Sequence, residues 1–540
     1  MVFCTLLISG PAHAAPPSPG SVIAPIDKPV IKPERTQVPQ ITREKKSLPA
    51  TPPSTKTVKV NAFKFKGNTT FSDEQLHEVV ASYEGKNLSI TNIYFVADLV
   101  ETFYRYHGYL LTSIYLPAQQ INSGTIIFEV IEGRLSVIKF EGDLQSYTPE
   151  FLAAQVDELQ TGQIIDDQSL ETETLLLDDL PGLDARAVIS SGKEYGTSDV
   201  IFISEEDRYS SVVSVNNYGR KSIGEKRVEA GFLMANPIFE GDMLNLSLIA
   251  AESSRMLYGR ADYDALVNSS GTRIGLSFST FDYEVDTEEA GLPASLNLEG
   301  SGSGFVIRVS HPIQRTSRNN TSVTVSGRSS STEQRGTAAI PTDNTISLLE
   351  VFLNWDHLYR DYAKTSIQAG LSTNFKSRED ILDTESQKVK LSLDVSHYQP
   401  FMDSWFITAR VQGIYSPDPL VDVERFRVGG QGSVRAFPSA ELAGDKGGVI
   451  SLDLGKKFIV SEKIMMTPRL FADAGKVYRN DSFGLFGQPD SESLTGYGAG
   501  LTSIFASNHS LDVEVVKPVT DRVSSDGRDT RFWLSYRGQF

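Results

Sequence analysis

Through "KVKLSLDVS" apolar and polar side chains alternate one for one. Val389, Leu391, Leu393 and Val395 fall on one face of a strand, and Lys390, Ser392 and Asp394 on the other. "MLNLSLI" repeats the pattern with Leu244, Leu246 and Leu248, and "LDVEVV" sets Leu511, Val513 and Val515 opposite Asp512 and Glu514. A soluble β-sandwich alternates too, so count and continuity decide. From Tyr209 to Phe540 there are sixteen such segments, joined by short polar turns or by long loops such as "TEEAGLPASLNLEGSGSG" and "RSSSTEQRGTAAIPTDN". An even number of antiparallel strands of about ten residues, with short and long connections mixed, predicts a transmembrane barrel over residues 207–540. Its charged faces must point into a wet lumen, because Lys or Arg against mid-bilayer lipid costs about 2–4 kcal/mol each. The closing segment "RFWLSYRGQF" puts Phe532, Leu534, Tyr536 and Phe540 on one face, which suits a last strand turned toward lipid.

Upstream of the barrel the pattern changes to helices and short strands, and it occurs twice. "VNAFKFKGNTTFSDEQL" and "LSVIKFEGDLQSYTPEFL" each give a strand, then Gly67-Asn68 or Gly142-Asp143, then a helix start. A second helical stretch follows in each, Ile90 to Tyr106 and Asp167 to Leu180, ended by glycine turns at Gly108 and Gly182. The strands "TIIFEVIEG" and "DVIFISEED" close the two units. Equivalent glycines stand 75 and 74 residues apart, so two β-α-α-β-β modules are expected in tandem, over 57–133 and 134–206.

The N-terminus reads differently again. "MVFCTLLISGPAHAA" has a short apolar run and the small-x-small pattern Ala12-His13-Ala14, so residues 1–14 are expected to be a cleaved signal segment, although a positively charged start is missing. Residues 15–56 are rich in proline and lysine and are expected to form an extended solvated tether. A short helix near Gln40 to Lys46 fits the pattern, while prolines 29, 33 and 39 forbid a long one upstream. No run of eighteen apolar residues occurs, so no transmembrane helix is expected. A net charge of −17 without a basic stripe argues against nucleic acid. The single cysteine, Cys4, permits neither an intrachain disulfide nor a cysteine metal site.

One connection stands apart. Between the eleventh segment, "WFITARVQGIY", and the twelfth, "GGVISLDLGKKF", lies a loop spanning 417–446 that contains "RVGGQGSVRAFPSAELAGDK". So many glycines bury nothing, and a loop that long needs support, which the lumen can provide. In the next strand, "RLFADAGKVY", inward-facing Arg469, Phe471 and Asp473 would leave Leu470, Ala472 and Ala474 toward lipid. Arg435 could then pair with Asp473 through a two-pronged, charge-assisted contact that pins the loop inside.

"SVRAF" with "FADAG", behind two F-x-G-[ND] modules and ahead of a terminal phenylalanine, resembles the two-partner secretion translocators of the hemolysin secretion/activation type. The resemblance runs from Val58 to Phe540. It implies two periplasmic POTRA domains that capture an unfolded secreted client, and a sixteen-stranded barrel in the bacterial outer membrane through which the client leaves. Val434, Arg435, Ala436 and Phe437 match the loop motif V-R-G-[FY], and Phe471, Asp473 and Gly475 match the strand motif F-x-D-x-G. Ala436 departs from the family glycine, and would be strained if that position needs positive φ. The proline-broken tether leaves little room for the N-terminal plug helix that many members have. The resemblance also implies a monomer in outer-membrane lipid, with export driven by folding of the client outside. An insertase for other barrels and a passive porin with binding modules remain the alternatives.

Other features suggest less. "GYGAG" (Gly496, Gly498, Gly500) lacks the strand-then-helix context of a dinucleotide loop and reads instead as a glycine-lined wall passed closely by another element. There is no phosphate-loop motif, no metal-type histidine spacing and no catalytic triad, so no enzyme activity, cofactor, nucleotide or metal is expected. Asp178-Asp179 and Glu205-Glu206-Asp207 read as solvated module ends, His77 as an exposed helix residue, and Trp405 and Trp533 as members of interfacial belts.

Overall fold

The computed structural model describes residues 18–23, 41–43, 57–121, 123–337, 342–379, 388–480, 489–506, 508–520 and 522–540. The proposed signal segment lies outside these. The chain divides into two compact units, one holding both modules and the other the barrel.

In the first module, Ala62–Lys66 pairs in parallel with Thr125–Ile131, which pairs antiparallel with Ser113–Tyr115. Helices Asp73–Val80 and Ile90–Tyr106 cover the sheet, burying Leu76, Val80, Val96, Val100 and Tyr104 against Phe63, Phe128 and Val130. The first helix starts at a capping box, with the Ser72 hydroxyl accepting from the Gln75 amide and the Gln75 side chain accepting from the Ser72 amide. The second module repeats the plan with Arg134–Asp143, helices Pro149–Gln155 and Asp167–Asp178, and strands Leu183–Ser191 and Thr197–Glu206. The repeated glycine has a steric cause: a Cβ on Gly67 would lie 2.4 Å from the Val130 carbonyl oxygen, and one on Gly142 only 1.8 Å from that of Ser204, both at positive φ.

Two corrections to the sequence reading arise here. Residues 41–43 form no helix; Ile41–Arg43 is a strand added in parallel to Leu183–Ser191, at the edge of the second module's sheet. An unpaired sheet edge accepts any extended segment, and this overrides local propensity. Nor is Glu206 a solvated module end. It is buried and accepts hydrogen bonds from the backbone of Gln145 and Ser146 and from the Ser146 hydroxyl. Its counterpart one module earlier, Glu132, accepts from the Thr69 and Thr70 amides, the Thr69 hydroxyl and Tyr104. Each carboxylate locks the turn that follows the module's first strand. Burial alone would push both carboxyls up, but these hydrogen bonds hold them below the ordinary range.

Glu173 behaves oppositely. It is buried in the second module, one carboxyl oxygen has no hydrogen-bond partner among the described residues, and burial, with Glu158 and Asp157 nearby, pushes its pKa up to about 8. A raised carboxyl favours folding below its unfolded pKa and loses that contribution as pH rises toward 8. Depressed Glu132 and Glu206 contribute above their unfolded pKa and lose it as pH falls below about 4.5. Residues 35–207 are therefore expected to be most stable in mildly acidic solution. Glu173→Gln should raise their thermal midpoint at pH 8 by several degrees and leave it nearly unchanged at pH 5. Equal shifts at both pH values would show that the carboxyl is not protonated on folding.

Sixteen antiparallel strands form the barrel, from Tyr209–Asn216 to Arg531–Gln539. It closes by pairing the first with the last, Val212 opposite Gln539 through Asn216 opposite Ser535, and Ser211 and Phe540 exchange backbone hydrogen bonds. The alternation read in the sequence sorts inside from outside: Leu246, Leu248, Leu391, Leu393, Val513 and Val515 are exposed on the outer face, while Glu514 is buried inward. Phe532, Leu534, Tyr536 and Phe540 all face outward, as expected. Trp533, one position out of phase, does not belong to an interfacial belt; it is 1% exposed and faces the lumen.

The tether also departs from a uniform solvated chain. Pro19–Ile23 is a five-residue helix whose Val22 is fully buried against Ile223, Tyr258 and Phe281 of the barrel. The Gly20 amide donates to Asp422 in the long loop at 2.9 Å. A Cβ on Gly20 would fall 2.3 Å from an Arg427 nitrogen, so the helix approaches the loop as closely as only glycine allows.

Candidate functional site

The long connection runs over residues 416–445, between strands Trp405–Tyr415 and Lys446–Lys456. It supplies its own scaffold: Phe426–Val428 pairs antiparallel with Leu442–Gly444, forming a hairpin stem. Above the stem the tip turns at Gly429, Gly430 and Gly432, with φ of 114°, 93° and 78°, and at Ala440, with φ of 56°. Turns this tight need positive φ, which explains the glycines that bury nothing.

Arg435 stands at the centre of the tip. Its Nε donates to Asp473 Oδ2 at 2.9 Å and its Nη2 to Oδ1 at 2.8 Å, the two-pronged pair expected from the sequence. Its backbone amide also donates to Asp473, at 3.1 Å. A second carboxylate, Asp453 on the neighbouring strand, takes the same guanidinium at 3.0 and 3.1 Å. Glu514 lies 3.7 Å away, and the plane rests on Phe471 with the guanidinium carbon 3.5 Å from the ring centroid. Strand register explains the convergence: Phe471 pairs with Asp453 and Asp473 with Ser451, so both acids project inward from adjacent strands. The tip's flanks are sealed apolarly, with Val434, Ala436 and Phe437 at most 1% exposed and packed with Phe471, Leu494, Val516 and Trp533.

The wall under the tip is made of glycine. A Cβ on Gly475 would lie 2.6 Å from Val428 and 3.0 Å from Val434, and one on Gly498 2.7 Å from the Phe471 ring. At Gly496 it would fall 2.3 Å from the Ala436 methyl. The "GYGAG" stretch is thus the glycine-lined wall the sequence suggested. Ala436 has no positive φ, so the departure from the family glycine carries no backbone strain. Its methyl occupies the space that Gly496 leaves empty.

Three participants were not read from the sequence. Trp533 donates its ring N–H to the Arg435 carbonyl at 2.8 Å, holding the tip from the last strand. Asp453 lay in the quoted twelfth strand, where its inward parity next to Asp473 was the available signal. Glu424 is the third. Near the stem's base it pairs with Arg328 at 2.6 Å and with Lys390, cations on the seventh and tenth strands. The loop is therefore held twice with opposite polarity: a loop cation on wall anions at the tip, and a loop anion on wall cations at the base. Two further hydrogen bonds add to this: Gln431 donates its side-chain amide to Glu514 at 2.6 Å, and Glu441 accepts from the Ser525 backbone amide at 3.0 Å.

Comparison with known proteins gives a consistent answer. Residues 196–503 match the haemolysin secretion/activation protein family ShlB/FhaC/HecB, and residues 58–133 match the ShlB-type POTRA domain. The heme/hemopexin transporter protein HuxB of Haemophilus influenzae is 26% identical over 485 residues, covering 87% of this chain and 85% of that protein. The outer membrane transporter CdiB of Escherichia coli is 22% identical over 516 residues, covering 90% and 86%. The solved structure of Escherichia coli CdiB superposes with a TM-score of 0.71 at 20% identity, covering 91% of this chain and 93% of that one. BamA from Haemophilus ducreyi lacking POTRA domains 1–3 superposes at 0.55 and 14% identity, over 89% and 100%, a likeness of fold alone.

Proposed function

This chain belongs to the haemolysin secretion/activation protein family ShlB/FhaC/HecB, and from that premise we propose how its parts divide the work of moving an unfolded partner exoprotein across the bacterial outer membrane. The modules lie in the periplasm and receive the client; the barrel is the passage. Reception needs no sequence-specific pocket, because an extended client segment can join a sheet edge through main-chain hydrogen bonds. Ser113–Tyr115 offers such an edge in the first module. The equivalent edge of the second already carries Ile41–Arg43.

The observation that carries this reading is the grip on Arg435 by Asp473 and Asp453 inside the barrel. A passive pore needs an open lumen, and a loop whose tip is locked to the wall by a buried ion pair works against one. A gated conduit is served by it: the tip has one seated position, and leaving it separates a desolvated charge pair, so the passage stays obstructed until a client competes. Arg435 and Phe437 act as the tip, Phe471, Asp473 and Gly475 as its seat, and the outward row ending at Phe540 as the closing strand.

Removal of the chain from its host is expected to abolish surface appearance of one large secreted protein, measured by protease shaving of intact cells, while other outer-membrane barrels stay at normal abundance. General loss of barrels would identify an insertase instead. Unchanged secretion with reduced uptake of small solutes would identify a porin.

A further inference from the structure

We propose that the outward face of the strands behind the loop's seat carries a binding site for the phosphate of an outer-leaflet glycolipid, built from Lys446 and Lys476 with Tyr415 and Tyr478. This rests on the membrane location of the barrel and not on the role given to the loop.

Strand parity places both lysines outside. Lys476 shares its phase with Leu470 and Met466, both exposed on the outer face, and Lys446 shares its phase with Ile450 and Leu452. They sit on adjacent strands, where Lys446 pairs with Tyr478 and Gly448 with Lys476. That makes them a diagonal pair, with Cβ atoms about 7–8 Å apart, close enough for two flexible ammonium groups to meet on one phosphate. Each ammonium lies against a tyrosine, Lys446 at 5.3 Å from the Tyr415 ring centroid and Lys476 at 4.7 Å from that of Tyr478. Cation–π contact orients a charge without neutralising it. Neither lysine is ion-paired to a carboxylate among the described residues, whereas lumenal cations such as Arg328, Arg435 and Arg469 all are.

Depth identifies the leaflet. Trp405 pairs with Lys456 at the end of the eleventh and twelfth strands where the chain enters the barrel, and the Lys456 ammonium lies 5.3 Å from the Trp405 ring. Tyr415 is ten residues farther along the same strand. At about 3.3 Å per residue and a tilt of about 40°, the two aromatic–lysine pairs are about 25 Å apart along the membrane normal, the height of a barrel's apolar band. The Tyr415 and Tyr478 pair is therefore at the outer interface. Around the rim the charge changes sign: at the far ends of the fifth and sixth strands the outward residues are Asp282, Glu284 and Glu299. A phosphate is repelled there and attracted at the lysine pair.

The test uses the full-length protein in lipid nanodiscs, with retained lipid counted by native mass spectrometry. Three lipids are compared: a phosphorylated lipid A-type glycolipid, the same glycolipid without phosphate, and phosphatidylglycerol. The wild type is expected to retain the phosphorylated glycolipid selectively, and K446Q/K476Q to bind it about 30-fold more weakly. Lys517→Gln, also on the outer face but two strands away, should bind like the wild type. Heat resistance of each barrel on gels confirms that the variants are folded. The proposal is overturned if the double variant retains the lipid, if the phosphate-free glycolipid or phosphatidylglycerol binds the wild type equally well, or if Lys517→Gln loses as much as the pair.

Discussion

Arg435→Ala is expected to leave a fully inserted, heat-resistant barrel that exports no client. The barrel survives because Arg435 belongs to no strand, and closure rests on the backbone ladders from Val212–Gln539 around to Val516–Arg531. The loop does not. Deleting the guanidinium strands Asp473, whose side chain is fully buried, and leaves Asp453 and Glu514 beside it, with Arg469 the remaining cation paired to them among the described residues. Removing one half of a buried, hydrogen-bonded ion pair costs about 3–5 kcal/mol, and here that cost falls on the tip. Asp473→Asn should reproduce the defect more mildly, since Asp453 still engages Arg435 through two hydrogen bonds. The measurements are client at the cell surface and limited proteolysis of the loop. Normal export by Arg435→Ala would remove the role assigned to the tip.

The second large effect is expected at the base of the loop. Glu424→Lys places a cation against Arg328 and Lys390, which the native carboxylate joins at nearly full burial. Repulsion in a poorly solvated site should lift the turn Asp422–Glu424 off the wall. The lift would also disturb the short helix Pro19–Ile23, whose Gly20 hydrogen-bonds Asp422. Both the turn and the helix fill lumen, so single-channel conductance in planar bilayers should rise several-fold. Adding Arg328→Glu restores one opposite pair and should bring the conductance most of the way back. Glu350 works against full recovery, because it lies 3.2 Å from Arg328 in the native protein and would face a like charge. An unchanged conductance in Glu424→Lys would mean that the base contact does not help to close the passage.

These two positions differ in how visible they were. Arg435 stood out because a glycine-rich loop offers few side chains, and the strand carrying Asp473 announced its inward face through the leucine and alanines out of phase with it. Glu424 gave no such cue. Its partners come from strands 96 and 34 residues away, and the distance along the chain says nothing about which lumenal cations a folded-in loop meets. Trp533 was misread for a related reason: as a tryptophan in a terminal strand it suggested an interface, but parity puts it inside, where the Arg435 carbonyl needs a donor. Glu206 was misread as solvated because three acidic residues in a row at a module's end look like a surface. Its equivalence to Glu132 becomes visible only once the sheet brings each carboxylate under the module's first turn.

By itself the sequence determined the repeated glycine-opened modules, the number of barrel strands, which face of each meets lipid, and the pairing of Arg435 with Asp473. The first three follow from periodicity and parity, which are local and fixed by backbone geometry; the pairing follows from the inward parity of Asp473 together with the place of Arg435 in a glycine-rich loop that needs the lumen for support. The tertiary structure alone decided that Ile41–Arg43 would take a sheet edge, that a five-residue helix would lodge in the lumen, and that Asp453, Glu424 and Trp533 would share in holding the loop. Those outcomes depend on which unpaired edges, voids and buried charges happen to lie nearby after folding, and a linear pattern carries no record of that neighbourhood.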